Sequence, residues 1–285
     1  MKTKVRLKED LRTLQDLVGA ITIMKQLAAN RLQQLETLQT SFDDLTNALQ
    51  EFFYWMDTEE IKHPFFKRQL PAQLILLITT DMGFLGGLNT AVIQEGLQDF
   101  REDRGDGLAV IGSRGKNYLL ELGYSLHASF AGISDSIQRE QIHAVKDFVT
   151  KQLLEMRFGG VQVVYPHFHS ISHQSVKKFD LFPCTAIPLE RKRALNREEH
   201  FIVESPLDAM ISYLAELWAS ERLHAIFLHS KLSELAARSL YLEETEQDLE
   251  SEKKKLNLLY FRRVHEELDQ NIREVVAARS LTEIL

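Results

Sequence analysis

The sequence predicts an α+α/β fold, in which long N- and C-terminal helices pair as an antiparallel coiled coil and a central, Rossmann-like α/β domain lies between them in the chain. Three observations support this fold: the positions of glycine and proline, a sevenfold apolar repeat at each end, and apolar runs that alternate with helical segments in the middle. We expect the N-terminal helix within residues 1–63, the α/β domain within 71–203 and the C-terminal helix within 207–285.

Glycine and proline are scarce at both ends of the chain. The 285 residues include 13 Gly and 6 Pro; only Gly19 precedes Pro64, and neither residue type occurs after Pro206. Because these two residues are the strongest helix breakers, both ends are predicted to be long helices. This distribution excludes an all-β fold and a compact enzyme with a single core along the whole length.

An apolar residue recurs at every seventh position of the N-terminal segment. The row is Leu7, Leu14, Ile21, Ala28, Leu35, Phe42, Leu49 and Met56. A companion row four residues later is interrupted by polar residues, the first of them Lys25. A sevenfold repeat of this length indicates a left-handed supercoil with a partner helix, and a conventional helical bundle is the alternative.

The C-terminal segment has a repeat of the same kind. Its leucine row is Leu228, Leu235, Leu242, Leu249 and Leu256, and its companion row is Leu232, Ser239, Glu246, Lys253 and Tyr260. The polar positions would fix the register of an antiparallel pair, and the acidic run 243–252 is predicted to lie on a solvated face. The tip is apolar again and requires a socket on another subunit. Its apolar residues are Leu268, Ile272, Val275, Val276, Leu281 and Leu285.

The middle of the chain alternates between strand-like and helix-like segments. Apolar runs at 74–79, 108–112 and 161–165 predict buried strands, and the segments 88–101, 116–122 and 136–157 predict helices. This alternation predicts a small, mostly parallel sheet. Two glycine-rich turns, 79–89 and 112–116, offer a phosphate-binding α/β protein as an alternative function, although neither matches a dinucleotide or P-loop pattern.

Composition excludes several other classes of function. A net charge of −7 gives no basic footprint for nucleic acid, and the single Cys184 excludes an intrachain disulfide. No apolar run is long enough for a membrane span, and the first residues do not resemble a signal peptide. His167, His169 and His173 have no nearby carboxylate or cysteine to complete a metal site. We therefore predict no catalytic residue, cofactor or metal in this chain.

Four blocks of the sequence resemble the gamma subunit of F-type ATP synthases. They are LRTLQDLVGAITIMKQLAANRL at 11–32, TTDMGFLGGLN at 79–89, HSKLSELAARS at 229–239, and the segment from Tyr260 to Val276. The second block is the most specific, since the family commonly reads TSDRGLCGGLN there. The blocks are collinear and are spread along the chain from residue 11 to residue 276, and the resemblance extends over the whole chain.

The resemblance implies a central rotor shaft that couples ion flow through a membrane c-ring to ATP synthesis or hydrolysis. The partners would be a hexamer of alpha and beta subunits around the coiled coil, with the epsilon subunit and the c-ring at the α/β domain. Nucleic acid would not be a partner, and the chain would lie at the cytoplasmic face of the inner membrane, attached only through the complex. The implied subunit contacts are Met24, Lys25, Ala28, Ala29, Asp81, Gly83, Gly86, Gly87, Asn89, Ser233, Glu234, Arg238, Tyr260, Ile272, Glu274, Val275 and Val276.

The chain also departs from the family pattern. Gln15, Gly19 and Thr22 replace basic residues of the first helix. Phe261, Val264, His265 and the pair Ala278-Arg279 replace the usual polar and small residues near the tip, and the acidic run 243–252 is unusual. These changes suit a divergent relative, such as one from an alternative ion-translocating type of the complex. They also leave open a second alternative, a coiled-coil adaptor that has lost rotary function.

Overall fold

The structure, a computed structural model, describes residues 3–37, 63–134, 137–184 and 207–282. Within these ranges the elements follow in the order α1 (Lys4–Glu36), β1 (Gln73–Ile78), α2 (Leu88–Asp99), β2 (Gly107–Ile111), α3 (Ser113–Glu121), β3 (Ala128–Phe130), α4 (Arg139–Leu154), β4 (Gly160–Ser170), β5 (His173–Phe182) and α5 (Leu207–Thr282). The elements therefore comprise a helix at each end and an α/β region between them.

The sevenfold rows of α1 face inward. Leu7, Ile21, Ala28 and Leu35 are buried, and Leu14 of the same row is half-buried. The companion positions are less covered, since three of the four in α1 are half-buried and Leu32 is buried. The predicted continuation of the repeat through Phe42, Leu49 and Met56 lies outside the described residues.

The strands of the described region form one mixed sheet with the order β3-β2-β1-β4-β5. The first four are parallel, and β5 at the edge runs antiparallel to β4. Every residue of β1 and β2 is buried. A parallel strand with helices over both faces needs an unbroken apolar run, which explains why these two strands were visible in the sequence.

Helices α2 and α3 pack on this sheet through a shared apolar core. The cluster contains Ile75, Leu77, Val92, Ile93, Leu108, Val110, Leu119 and Val164. Because each connection returns to the same edge of the parallel strands, the loops that follow β1 and β2 and the segment after β3 lie close together at the carboxyl ends of the strands.

Helix α5 changes its surroundings along its length. From 226 to 238 every residue except the half-buried His229 is buried, charged residues included. From Leu242 to Glu267 the buried and half-buried residues of α5 recur mostly every three or four positions, so only one narrow face of the helix is covered. Residues 268–276 are all exposed. None of the described helices combines the length and the apolar character required to cross a membrane.

The chain divides into two compact units, and the division falls within both terminal helices. One unit contains residues 1–28 and 239–285, and the other contains residues 29–238. In the first unit, Lys4 forms an ion pair with Glu267 and Lys25 with Glu246. Lys4 precedes Lys25 in α1, but its partner Glu267 follows Glu246 in α5, so the two helices run antiparallel there.

These elements confirm the α+α/β class. The three predicted strands match β1, β2 and the first half of β4, and the predicted helices match α2, α3 and α4 within a few residues. The sequence did not indicate β3 or β5. The fold therefore contains an antiparallel edge hairpin, β4–β5, in addition to the predicted parallel strands.

Candidate functional site and its polar junction

The loop after β1 holds Asp81, which acts as an internal anion for two other segments. Its carboxylate accepts hydrogen bonds from the backbone N–H of Ser113 at 2.6 Å and of Gly132 at 2.9 Å. Burial alone would raise the pKa of Asp81, but these two bonds and the positive charge of Lys231 outweigh it and hold the pKa below its usual value. Asp81 is therefore ionised at neutral pH and occupies the N-terminus of α3.

The position of this carboxylate argues against a phosphate-binding loop. A helix N-terminus attracts anions through its free N–H groups, and at α3 the N–H of the first helical residue already bonds to Asp81. Gly132 must lack a side chain, because a Cβ atom there would lie 2.7 Å from the carboxyl carbon of Asp81. The phosphate-binding alternative is not supported.

The other predicted residues of this loop also act within the chain. Asn89 donates from its amide to the Thr80 hydroxyl at 3.0 Å, and that hydroxyl donates to the Met82 carbonyl. Gly86 has a φ of +57°, a conformation that favours glycine, and Gly83 and Gly87 complete the turn into α2. The block therefore builds a fixed turn, with Met82 and Phe84 exposed on its surface.

The third block forms a buried ion cluster on α5. Glu234 accepts hydrogen bonds from Lys231 at 3.1 Å and from Arg238 at 2.6 Å, and all three residues are at most 8% exposed. Lys231 also donates to the Ile133 carbonyl at 3.2 Å. Ser233, beside this cluster, is fully buried, and its hydroxyl makes no hydrogen bond within the described residues. Glu234 and Arg238 thus face the interior of their own chain.

Residues 131–134, here called the junction segment, connect this cluster to the Asp81 loop. Gln141 of α4 donates to the Gly132 carbonyl at 3.2 Å and accepts from the Ser134 N–H and hydroxyl at 3.2 and 3.1 Å. Gln141, Gly132 and Lys231 were not among the site residues predicted from the sequence. The spacing of Lys231 three residues before Glu234 was the one signal available for any of them.

The first block contributes a polar contact between the terminal helices. Thr22 and Lys25 both bond to the Glu246 carboxylate. The hydrogen bond with Glu246 raises the pKa of Lys25 despite the opposing effect of desolvation, and the same bonds from Lys25 and Thr22 lower the pKa of Glu246. Of the other predicted residues here, Ala28 is buried, Met24 is half-buried and Ala29 is exposed.

The fourth block ends in an uncovered apolar surface. Ile272, Val275 and Val276 are 59%, 67% and 62% exposed, whereas Tyr260 is half-buried. Glu274 accepts a hydrogen bond from Gln270 one turn earlier. Within this chain nothing described covers the tip, so its apolar side chains are available to a partner.

The histidines noted in the sequence form a chain of ring contacts. His167 on β4 lies 4.1 Å from His229 on α5 and 4.8 Å from His169, and His169 lies 5.1 Å from His173, as measured between ring centroids. Burial, with the charges of His229, Lys177 and His169, lowers the pKa of His167 to about 4. Among the described residues no group of three or more His, Cys, Asp or Glu side chains could hold a metal ion.

The fold and these contacts define a class: a subunit with two long pairing helices, an exposed apolar tip and an α/β region whose glycine-rich turns are internally bonded. The chain belongs to the ATP synthase family, whose sequence profile matches residues 5–280. Similar proteins include the ATP synthase gamma chains of Clostridium novyi (23% identical, covering 99% of this chain and 97% of the relative) and of Desulforamulus reducens (23% identical, covering 78% and 77%).

Solved structures give the same fold. The chain is similar to one from the mitochondrial ATP synthase OSCP/F1/c-ring of Euglena gracilis, with a TM-score of 0.70, 14% identity and coverage of 97% of this chain and 93% of that one. It is also similar to one from the central stalk/c-ring of the Tetrahymena thermophila mitochondrial enzyme, with a TM-score of 0.62, 20% identity and coverage of 79% and 99%. The resemblance to gamma subunits is therefore confirmed.

Proposed function

We propose that this chain is the central-stalk rotor subunit of an F-type ATP synthase or ATPase. It would couple ion flow through the c-ring to ATP synthesis or hydrolysis at the beta subunits, by rotating inside the hexamer of alpha and beta subunits. The observation that carries this proposal is the antiparallel pairing of α1 with the C-terminal part of α5, which ends in an exposed apolar tip. A helix pair of this kind suits a shaft held by surrounding partners.

The paired helices form a left-handed antiparallel coiled coil in this proposal. The inward-facing positions of α1 are the sevenfold row and its companion row, and the covered stripe of α5 after Leu242 contains its own two rows. Lys25 and Glu246 occupy companion-row positions on opposite helices and bind each other. A polar pair in such a seam fixes the register, since any slip would leave both charges without partners.

The exposed tip is the part of the shaft that we place in a hydrophobic bearing of the hexamer. Ile272, Val275 and Val276 would be covered there, with Glu274 and Tyr260 contacting the surrounding subunits. Met24 and Ala29 lie on α1 at positions that the hexamer would also approach, whereas Ala28, the third residue predicted there, is buried within the chain. Burial of a few large apolar side chains contributes about 1.5–3 kcal/mol each, which is enough to hold a rotating tip without a fixed polar contact.

The α/β region would form the foot of the rotor. We assign residues 1–63 and 207–285 to the shaft and 71–203 to the foot, where the epsilon subunit and the c-ring would bind. The exposed Met82 and Phe84 of the glycine-rich turn are candidates for such a contact. The chain would lie peripherally at the cytoplasmic face of the inner membrane, attached to it only through the complex.

In the mechanism that follows, rotation of an asymmetric shaft changes the conformation of each beta subunit in turn. ATP chemistry would belong to the beta subunits, and the shaft would act by contacting each of them differently. On its outer surface α1 exposes Leu17, Ile23 and Leu27, whereas α5 exposes Glu243, Glu244 and Glu250, so the faces of the shaft differ chemically. Coupling then arises from differential contact free energy between the states of the surrounding subunits, which is what allosteric coupling requires.

The test is reconstitution with alpha and beta subunits from the same source. The chain should co-purify as a single copy per hexamer, and a bead attached to the foot should rotate when ATP is supplied. A chain that remains a free monomer in the presence of assembled hexamers contradicts the proposal.

A further inference from the structure

We propose that Lys231 is a positioning residue that locks the shaft helix α5 to the foot through the junction segment, so that torque passes between them without slip. The proposal rests on the rotor function proposed above and assigns a specific element to it. Lys231 touches neither nucleotide nor hexamer in this proposal; it acts on the orientation of α5 relative to the sheet.

The junction segment has bonds to three different elements. Its Gly132 N–H donates to Asp81 of the loop after β1, and its Gly132 carbonyl and Ser134 N–H bond to Gln141 of α4. Its Ile133 carbonyl accepts from Lys231 of α5 at 3.2 Å. Three consecutive residues, 132–134, thus connect the loop after the central strand, one covering helix and the shaft helix.

Lys231 is the group that brings α5 into this network. Its side chain is 5% exposed and lies against Glu234, whose second oxygen is held by Arg238. Its charge also reaches Asp81 and helps to keep the pKa of that carboxyl low. The cation on α5 is therefore coupled to the carboxylate that fixes the start of α3.

Polar contacts of this kind resist motions that apolar packing tolerates. Apolar surfaces can slide past one another because dispersion and burial depend weakly on direction. A hydrogen bond from a buried cation depends on the positions of both groups. Rotation of α5 about its axis would separate the Lys231 ammonium from the Ile133 carbonyl, and the buried carbonyl would lose this donor. The junction therefore opposes the rotation of α5 that torque would impose.

The structure offers a matched control pair between the same two regions. Lys146 of α4 forms an ion pair with Glu216 of α5 at 3.0 Å, but the Glu216 side chain is 39% exposed. A partly exposed pair is screened by water and contributes little. If any ion pair between the foot and α5 could transmit torque, removal of this one would have the same effect as removal of Lys231.

The experiment compares Lys231→Met, Lys231→Arg and Glu216→Gln in the full complex reconstituted into vesicles. The measured quantity is ions pumped per ATP hydrolysed. We expect K231M to lower this ratio about fivefold or more while hydrolysis continues, K231R to restore most of it, and E216Q to match the wild type. Gln141→Leu, which frees the junction segment from α4, should lower the ratio in the same direction if K231M does not fold.

The outcomes separate the two proposals. An unchanged ratio in K231M, an equal loss in E216Q, or a parallel fall of hydrolysis and pumping in K231M with no rescue by K231R overturns the role of the junction. A wild-type complex that neither rotates nor pumps overturns the rotor function and the junction together.

Discussion

At the scale of single residues, Asp81 does the work that a bound anion would do in a phosphate loop. It caps the N-terminus of α3 and simultaneously holds Gly132 of the junction segment. The carboxylate is partly desolvated, but Asp81 as a residue is exposed, so solvent screens its charge and the directional bonds to two N–H groups matter more than the Coulomb attraction.

Replacement of Asp81 by Asn should destabilise the chain by about 1 kcal/mol. An amide has one oxygen, so one of the two N–H groups would face the Asn NH₂ group instead of an acceptor. Chemical denaturation of the full chain measures the difference. Glu121→Gln, at the exposed C-terminal end of the same helix, is the control and should be neutral; an equal loss in both variants would mean that α3 responds to charge in general.

The low pKa of His167 predicts that the free energy of unfolding decreases in acid. Its pKa is about 4 in the folded chain, below the usual 6.5, because burial opposes protonation and positive charge on His229, Lys177 and His169 adds to that effect. The unfolded chain therefore binds a proton first as the pH falls. Stability should be full above pH 6.5 and decrease until about pH 4, by about 1–2 kcal/mol once solvent screening is allowed for.

Thermal melts between pH 7 and 4 test this expectation. His167→Phe keeps an aromatic ring beside His229 but cannot be protonated, so its melting temperature should fall less across this range. His143→Phe, on α4 and outside the histidine chain, serves as the comparison. If the two variants and the wild type share one pH profile, His167 is not the titrating group.

At the scale of elements, the two companion rows explain how the terminal helices find their register. Both rows combine apolar and polar positions, and the polar positions Lys25 and Glu246 bind each other. Thr22, three residues before Lys25, also bonds to Glu246. Thr22 and the acidic run of α5 were both departures from the family pattern in the sequence. They come into contact in the structure, so one departure accommodates the other.

A charge swap tests this register. Lys25→Glu and Glu246→Lys should each lower the melting temperature of the full chain, because each places two like charges together in the seam. The double variant should recover most of the loss. Lys254→Glu, on an exposed position of α5, is the control and should have little effect. A double variant as unstable as the sum of the single variants would show that this pair does not set the register.

The sequence predicted elements that carry a repeating or unbroken pattern and missed those that do not. β1 and β2 are wholly buried and, apart from Gln73 at the start of β1, consist of apolar residues and glycine, whereas β3 has three residues and β5 mixes Lys177, Lys178 and Asp180 with its apolar positions. The partners of Asp81 and Lys231 in the junction lie 51 and 98 residues away. Contacts across such separations leave no local periodicity, so the resemblance could supply Asp81, Glu234 and Arg238 but not what they bind.

At the scale of the whole molecule, burial along α5 distinguishes a part of the helix that packs within the chain from a part that is free to contact a partner. Between 226 and 238 it is buried on nearly all sides, and Lys231 donates a hydrogen bond to the Ile133 carbonyl of the α/β region, whereas residues 268–276 are exposed. An exposed apolar tip adds nothing to the stability of the isolated chain. We therefore expect the tip to contribute free energy of binding to a partner in an assembly.

Replacement of Ile272, Val275 and Val276 by Ser should therefore leave the isolated chain as stable as the wild type and weaken its function in the hexamer. Each substitution would remove about 1 kcal/mol or more of the free energy gained by burial in the bearing. The affinity of the chain for the hexamer should therefore fall at least about tenfold, and the stall torque should fall with it. Single-molecule rotation and gel filtration measure these effects, with the melting temperature of the free chain as the internal control. Deletion of 268–285 should have the larger effect. If both variants assemble and rotate as the wild type does, the tip carries no torque, and the coiled-coil adaptor becomes the better description.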